Sequence, residues 1–105
     1  MNIITRRTIL YYIDKYPLAS NSLKSWYKDL LKSDFENFNE LKNVYGNASI
    51  IANNRIVFNI KGNSFRLIVS VNFAAQALYV IWFGTHAMYD NIDAANVKHV
   101  KNPYK

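Results

Sequence analysis

The spacing of the apolar residues changes at Gly46, and that change limits the fold more than any other feature of the chain. Before it, apolar residues recur at three and four positions: Ile9, Leu10, Ile13 and Tyr16, then Leu23, Trp26, Tyr27, Leu30 and Leu31. Such stripes belong to helices buried on one side. After it the pattern alternates. "ASII" (48–51), "RIVFNIK" (55–61), "SFRLIVSVNF" (64–73) and "ALYVIWF" (77–83) read as four strands, and the linkers "ANN", "GN" and "AAQ" suit hairpins. "NIIT" (2–5) reads as a short edge strand. Thr5 is expected to cap a helix that Pro17 stops, and "SNS" (20–22) to cap the next. "ENFNELKNVYGN" (36–47) reads as a connector with one helical turn, and "HAMYDNIDAANV" (86–97) as a short helix capped by Thr85. The expected order is βααββββ plus a short C-terminal helix, an α+β fold with two N-terminal helices packed on one face of an antiparallel sheet.

A chain of 105 residues that is 50% hydrophobic can close one core without staples. We read residues 1–95 as that domain and 96–105, which include His99, as a basic tail. The chain has no cysteine, which excludes disulfides and zinc ribbons. The apolar run from Ala77 to Phe83 is too short to span a bilayer, and "MNIITRRTIL" lacks the apolar region of a signal peptide. A cytoplasmic protein with no membrane association is expected.

Charge is unevenly spread. The formal charge is +6, and between Glu40 and Asp90 there is no carboxylate, although Lys42, Arg55, Lys61 and Arg66 lie there. Such a field attracts polyanions; it also serves solubility. A row of Lys24, Lys28 and Lys32 follows one face of the second helix and reads as a solvated face rather than an RNA contact.

Within the strands, Phe65, Leu67, Val69, Val71 and Phe73 share one face, while Ser64, Arg66, Ser70 and Asn72 take the other, interrupted by Ile68. Arg55, Asn59 and Lys61 alternate with Ile56, Phe58 and Ile60, and the "KGN" turn brings Lys61 towards the strand of Arg66. Cations and an amide on an open sheet face suit phosphate. One of only two histidines, His86, falls at the first position of the last helix. A helix start disfavours the imidazolium form, so His86 could serve as a general base. Tyr89 and Asp90 follow at i+3 and i+4, where Asp90 could orient the ring and Tyr89 could stack on a base or steady a phosphate. In the plainer reading these three are a polar first-turn residue, a packing residue and a turn cap. Metal chemistry fits poorly with two histidines and a carboxylate-free middle, and no phosphate loop or nucleophile elbow occurs.

Two stretches, "RIVFNIKGNSFRLIV" (55–69) and "GTHAMYDNID" (84–93), together with "SWYKDL" (25–30), resemble the HigB toxin family within the RelE-like superfold. The resemblance covers about residues 1 to 95; Met88 and Asn91 depart from the charged or polar residues common there. It implies a type II toxin of a toxin–antitoxin pair, an mRNA endoribonuclease acting on translated messages at the ribosome. It further implies metal independence, no cofactor, and a HigA-like antitoxin with a helix-turn-helix domain as partner. The implied reaction is attack of a ribose 2′-hydroxyl on its own phosphate. His86 would then transfer protons, Arg66 and Lys61 stabilise phosphate charge, Tyr89 position the base or assist proton transfer, and Asp90 orient His86. Arg55 and Asn59 would contribute to the RNA-binding face. The competing expectations are a non-catalytic RNA- or ribosome-binding module on the same scaffold and, less favoured, a DNA-binding regulator.

Overall fold

The change of spacing at Gly46 becomes a division between helices and sheet in the computed structural model, which describes residues 1–98. The elements run β1 (Asn2–Ile3), α1 (Arg6–Lys15), a 3-10 turn (Pro17–Ala19), α2 (Ser20–Leu31), α3 (Phe38–Val44), β2 (Ser49–Ile51), β3 (Arg55–Ile60), β4 (Phe65–Asn72), β5 (Ala77–Thr85) and α4 (His86–Tyr89). The sheet order is β1-β5-β4-β3-β2. β2 to β5 form successive antiparallel hairpins, as the alternation predicts. β1 instead pairs parallel with β5, so the sheet is mixed. Asn2 N donates to Gln76 O at 2.7 Å and Ile4 N to Leu78 O at 2.9 Å, which fixes this pairing and buries β5 between two neighbours.

The helices cover one face. Leu23, Leu30 and Leu41 meet Ile56, Phe58, Leu67, Val69, Leu78, Val80 and Phe83 there, all essentially solvent-free. Phe65 and Phe83 stack with centroids 5.4 Å apart, and Tyr12 and Tyr16 lean on Phe83 at 5.7 and 5.5 Å. Aromatic pairs of this kind add to area burial. Burial pushes the Tyr12 phenol up to about 12.

Several local expectations are corrected. Thr5 makes no cap bond to α1; its hydroxyl accepts from Val80 N at 2.6 Å and ties the helix start to β5. Ser20 to Ser22 lie inside the first turn of α2, because the 3-10 turn at Pro17 feeds directly into the helix. Residues 36–47 contain the seven-residue helix α3, where Asn37 accepts from Glu40 N and Glu40 accepts from Glu36 N. That reciprocal pattern stabilises a helix start, and Leu41 anchors the helix in the core.

The largest correction concerns residues 86–97. Thr85 caps α4 as expected, its hydroxyl accepting from Met88 N at 3.1 Å, but the helix lasts one turn. Asn91 donates to Ala87 O, and Asp93 accepts from Ala95 N and from the Asn96 amide. Short polar side chains that bond nearby backbone compete with helix propagation. The segment lies instead across the second face of the sheet. Ile92, Ala94 and Val97 pack on Val57, Ile68 and Ile81, so the face expected to be open is partly covered. A β-bulge helps: Trp82 pairs with Ile68 and Val80 with Val69, which leaves Ile81 as the extra residue of β5. Asn53 donates to Ala95 O and Arg55 to Ala94 O, both at 2.8 Å, and strap the segment down. His99 and most of the expected basic tail lie outside the described residues.

Candidate active site

β4, β5, the hairpin at 61–64 and α4 meet at one end of the sheet. His86 N donates to Ser64 O at 2.9 Å, which fixes the start of α4 against the hairpin. Nδ1 of His86 lies 3.4 Å from a carboxylate oxygen of Asp90, and both side chains are about half exposed, at 46% and 58%. The i, i+4 spacing brings these two together. One helical turn aligns too few peptide dipoles to act strongly on the ring, so the Asp90 carboxylate is the charge that faces it.

Arg66 pairs in register with Asn59 on one side and Gly84 on the other. It is buried, not open to solvent as alternation alone suggests. Its Nη1 donates to Asn63 O and Phe65 O at 3.1 and 3.2 Å, and Nη2 donates to Asn63 Oδ1 at 2.6 Å. The guanidinium carbon lies 5.8 Å from the centre of the Tyr89 ring. Among the described residues no carboxylate pairs with it. A buried cation held only by neutral oxygens and a π face keeps its appetite for an anion.

Tyr89 therefore faces Arg66, and it also leans on Trp82 at 6.3 Å. Trp82 folds back across Gly84: a Cβ at that position would stand 2.7 Å from Cη2 of the Trp82 ring. Glycine is required here by close approach, and it leaves the ring free to support Tyr89. On the other flank Met88 is exposed, and its sulfur accepts from the Tyr16 hydroxyl at 3.7 Å.

The remaining residues predicted for the site divide. Lys61 is exposed at the hairpin tip with a left-handed φ of 54°, beside Gly62 at 61°. A lysine in this region carries strain, a feature often found at functional positions. Asn59 lines a small polar cleft of about 310 Å³ with Gly62, Tyr45 and Asn47. Arg55 sits apart from the cluster, with its guanidinium bonded to the covering segment. Sequence reasoning missed Asn63 and Trp82. Asn63 lies three residues before Arg66 in a turn already recognised, so the signal was present; Trp82 is legible only once the bulge is known. Among the described residues no group of three His, Cys, Asp or Glu side chains could hold a metal ion, and no helix is long and apolar enough to cross a membrane.

The mixed sheet and the helical layer on one of its faces have the architecture of a RelE-like domain. Residues 19–92 match the family described as HigB toxin, the RelE-like toxic component of a toxin–antitoxin system. This chain belongs to the HigB toxin family. It is similar to the mRNA interferase HigB of Escherichia coli O6:H1 (strain CFT073), with 28% identity over 94 residues, 88% of this chain and 91% of that protein. It is also similar to the mRNA interferase toxin HigB of Escherichia coli K12, with 28% identity over 98 residues, 91% of this chain and 94% of that protein.

Proposed function

We propose that this chain is a metal- and cofactor-independent endoribonuclease that cleaves translated mRNA on the ribosome, and that a HigA-like helix-turn-helix antitoxin neutralises it. The relatives named mRNA interferase support the substrate class. The observation that carries the chemistry is Arg66: a buried cation without a carboxylate partner among the described residues, facing Tyr89 of the helix whose first residue, His86, pairs with Asp90. An anion completes such a site, and a phosphate is the anion that RNA brings.

In the reaction the ribose 2′-oxygen attacks the adjacent phosphorus, the bond from phosphorus to the 5′-oxygen breaks, and a 2′,3′-cyclic phosphate and a 5′-hydroxyl result. One proton leaves the 2′-hydroxyl and one reaches the 5′-oxygen. His86, exposed and oriented through Nδ1 by Asp90, transfers one of them. Arg66 stabilises the charge that grows on the phosphorane, with Asn63 holding the guanidinium in place. Lys61 adds charge from the hairpin tip. Tyr89, backed by Trp82, positions the base or assists proton transfer. Asn59 extends the contact surface towards the polar cleft, and Arg55 acts at most at its margin.

Induced expression should arrest bacterial growth, and primer extension on translated messages should show new cuts with 5′-hydroxyl ends that persist in chelator. Arrest without cleavage would favour the non-catalytic ribosome-binding reading. Cleavage that chelator abolishes would overturn the metal-independent mechanism.

A further inference from the structure

A second feature lies away from this cluster, between α1 and α2. The two helices enclose a groove of about 630 Å³ whose floor and walls include Ile9, Leu10, Ile13, Tyr27 and Leu31. Leu10 and Leu31 are 41% and 45% exposed, large apolar residues that folding leaves wet. Arg6, Lys24 and Lys28 line the same groove, and among the described residues no carboxylate does. The lysine row that reads as a solvated face thus has Lys24 and Lys28 on the margin of an apolar trough.

We infer that this groove is the docking site for an amphipathic helix of the antitoxin, one whose apolar stripe is flanked by carboxylates. The inference rests on the toxin–antitoxin membership of the chain and not on its cleavage chemistry. Three observations select the occupant. The apolar floor calls for an apolar ligand face, since exposed patches of this kind mark interaction surfaces. The three cations without a lining carboxylate call for acidic flanks, which give orientation and fast association. The trough between two helices, about 15 and 18 Å long at the usual rise per residue, matches a third helix of roughly three turns laid into it. A nucleic-acid strand would use the cations and waste the leucines. A second copy of this chain would have to bring its own basic rim against an equally basic rim.

The groove is built by the outer surfaces of α1 and α2, whereas His86, Arg66 and Tyr89 lie at the hairpin end of the sheet.

The test uses the full chain and its cognate antitoxin, purified separately, with affinity measured by calorimetry. Leu10→Asp combined with Leu31→Asp should weaken binding by at least about tenfold, the scale of a lost interface anchor. Lys24→Glu combined with Lys28→Glu should weaken it severalfold and flatten its salt dependence. All four positions are exposed, so thermal unfolding should stay near that of the wild type, and toxicity without antitoxin should persist. Unchanged antitoxin affinity in both variants would overturn the inference. So would variants that keep antitoxin affinity and lose ribosome or RNA binding, or variants that only abolish self-association. If the wild-type chain binds antitoxin through the groove but cuts no RNA, the docking inference stands and the proposed reaction falls.

Discussion

The two faces of the sheet are built on different terms. On the helical side β4 presents Phe65, Leu67, Val69 and Val71, all buried among large apolar partners. On the other side the same strand presents Arg66, Ile68 and Ser70, and the cover is a single irregular segment carrying Ile92, Ala94 and Val97. One face supplies cohesion; the other keeps a cation out of water with amide, carbonyl and ring partners. A domain of this size can hold such a costly group only where the opposite face supplies the stability. Apolar packing explains every buried residue that β4 presents to the helices, but it does not explain the burial of Arg66 on the opposite face.

This comparison can be broken by paired truncations. Leu67→Ala, in the solvent-free helical face, should lower unfolding free energy by about 2–5 kcal/mol, while Ile92→Ala, in the half-buried cover, should cost about 1 kcal/mol. Urea unfolding of both variants checks this; equal losses would mean that the cover is as much core as the helical face. A smaller effect sharpens the contrast. Lys61 holds a left-handed φ of 54° without being glycine. Lys61→Gly should therefore leave stability unchanged or raise it by up to about 1 kcal/mol, and yet slow cleavage and weaken RNA binding at low salt. A loss of both stability and activity would mean that Lys61 is a structural residue of the hairpin.

Much of this division is legible in the sequence. Alternation placed Phe65, Leu67, Val69 and Val71 on a common face, and the short linkers "ANN", "GN" and "AAQ" fell at the three turns between β2 and β5. The spacing from His86 to Asp90 was readable because one helical turn fixes which residues meet. What alternation could not show was the third dimension. The parallel partnership of β1 with β5 depends on where the helical excursion returns the chain. The burial of Arg66 depends on Asn63, Tyr89 and the segment that crosses the sheet after Tyr89. Residues 86–97 read as one short helix behind the Thr85 cap, but Asp93 and Asn96 bond locally and end the pattern. Arg55 read as part of the RNA-binding face, and nothing in the strand pattern shows that Ala94 O will reach its guanidinium.

We propose that RNA is cut on the face with the buried cation and that His86 moves a proton there. This is tested most directly by the rate at which His86→Ala cleaves a translated message, measured beside its urea unfolding at matched folded concentration. His86 is half exposed and Thr85 still caps α4 in the variant. Cleavage should be slower by about 10²–10⁴-fold, with unfolding free energy within about 0.5 kcal/mol of the wild type. Cleavage at the wild-type rate by the folded variant would contradict the proposal and leave His86 as no more than the first residue of a short helix.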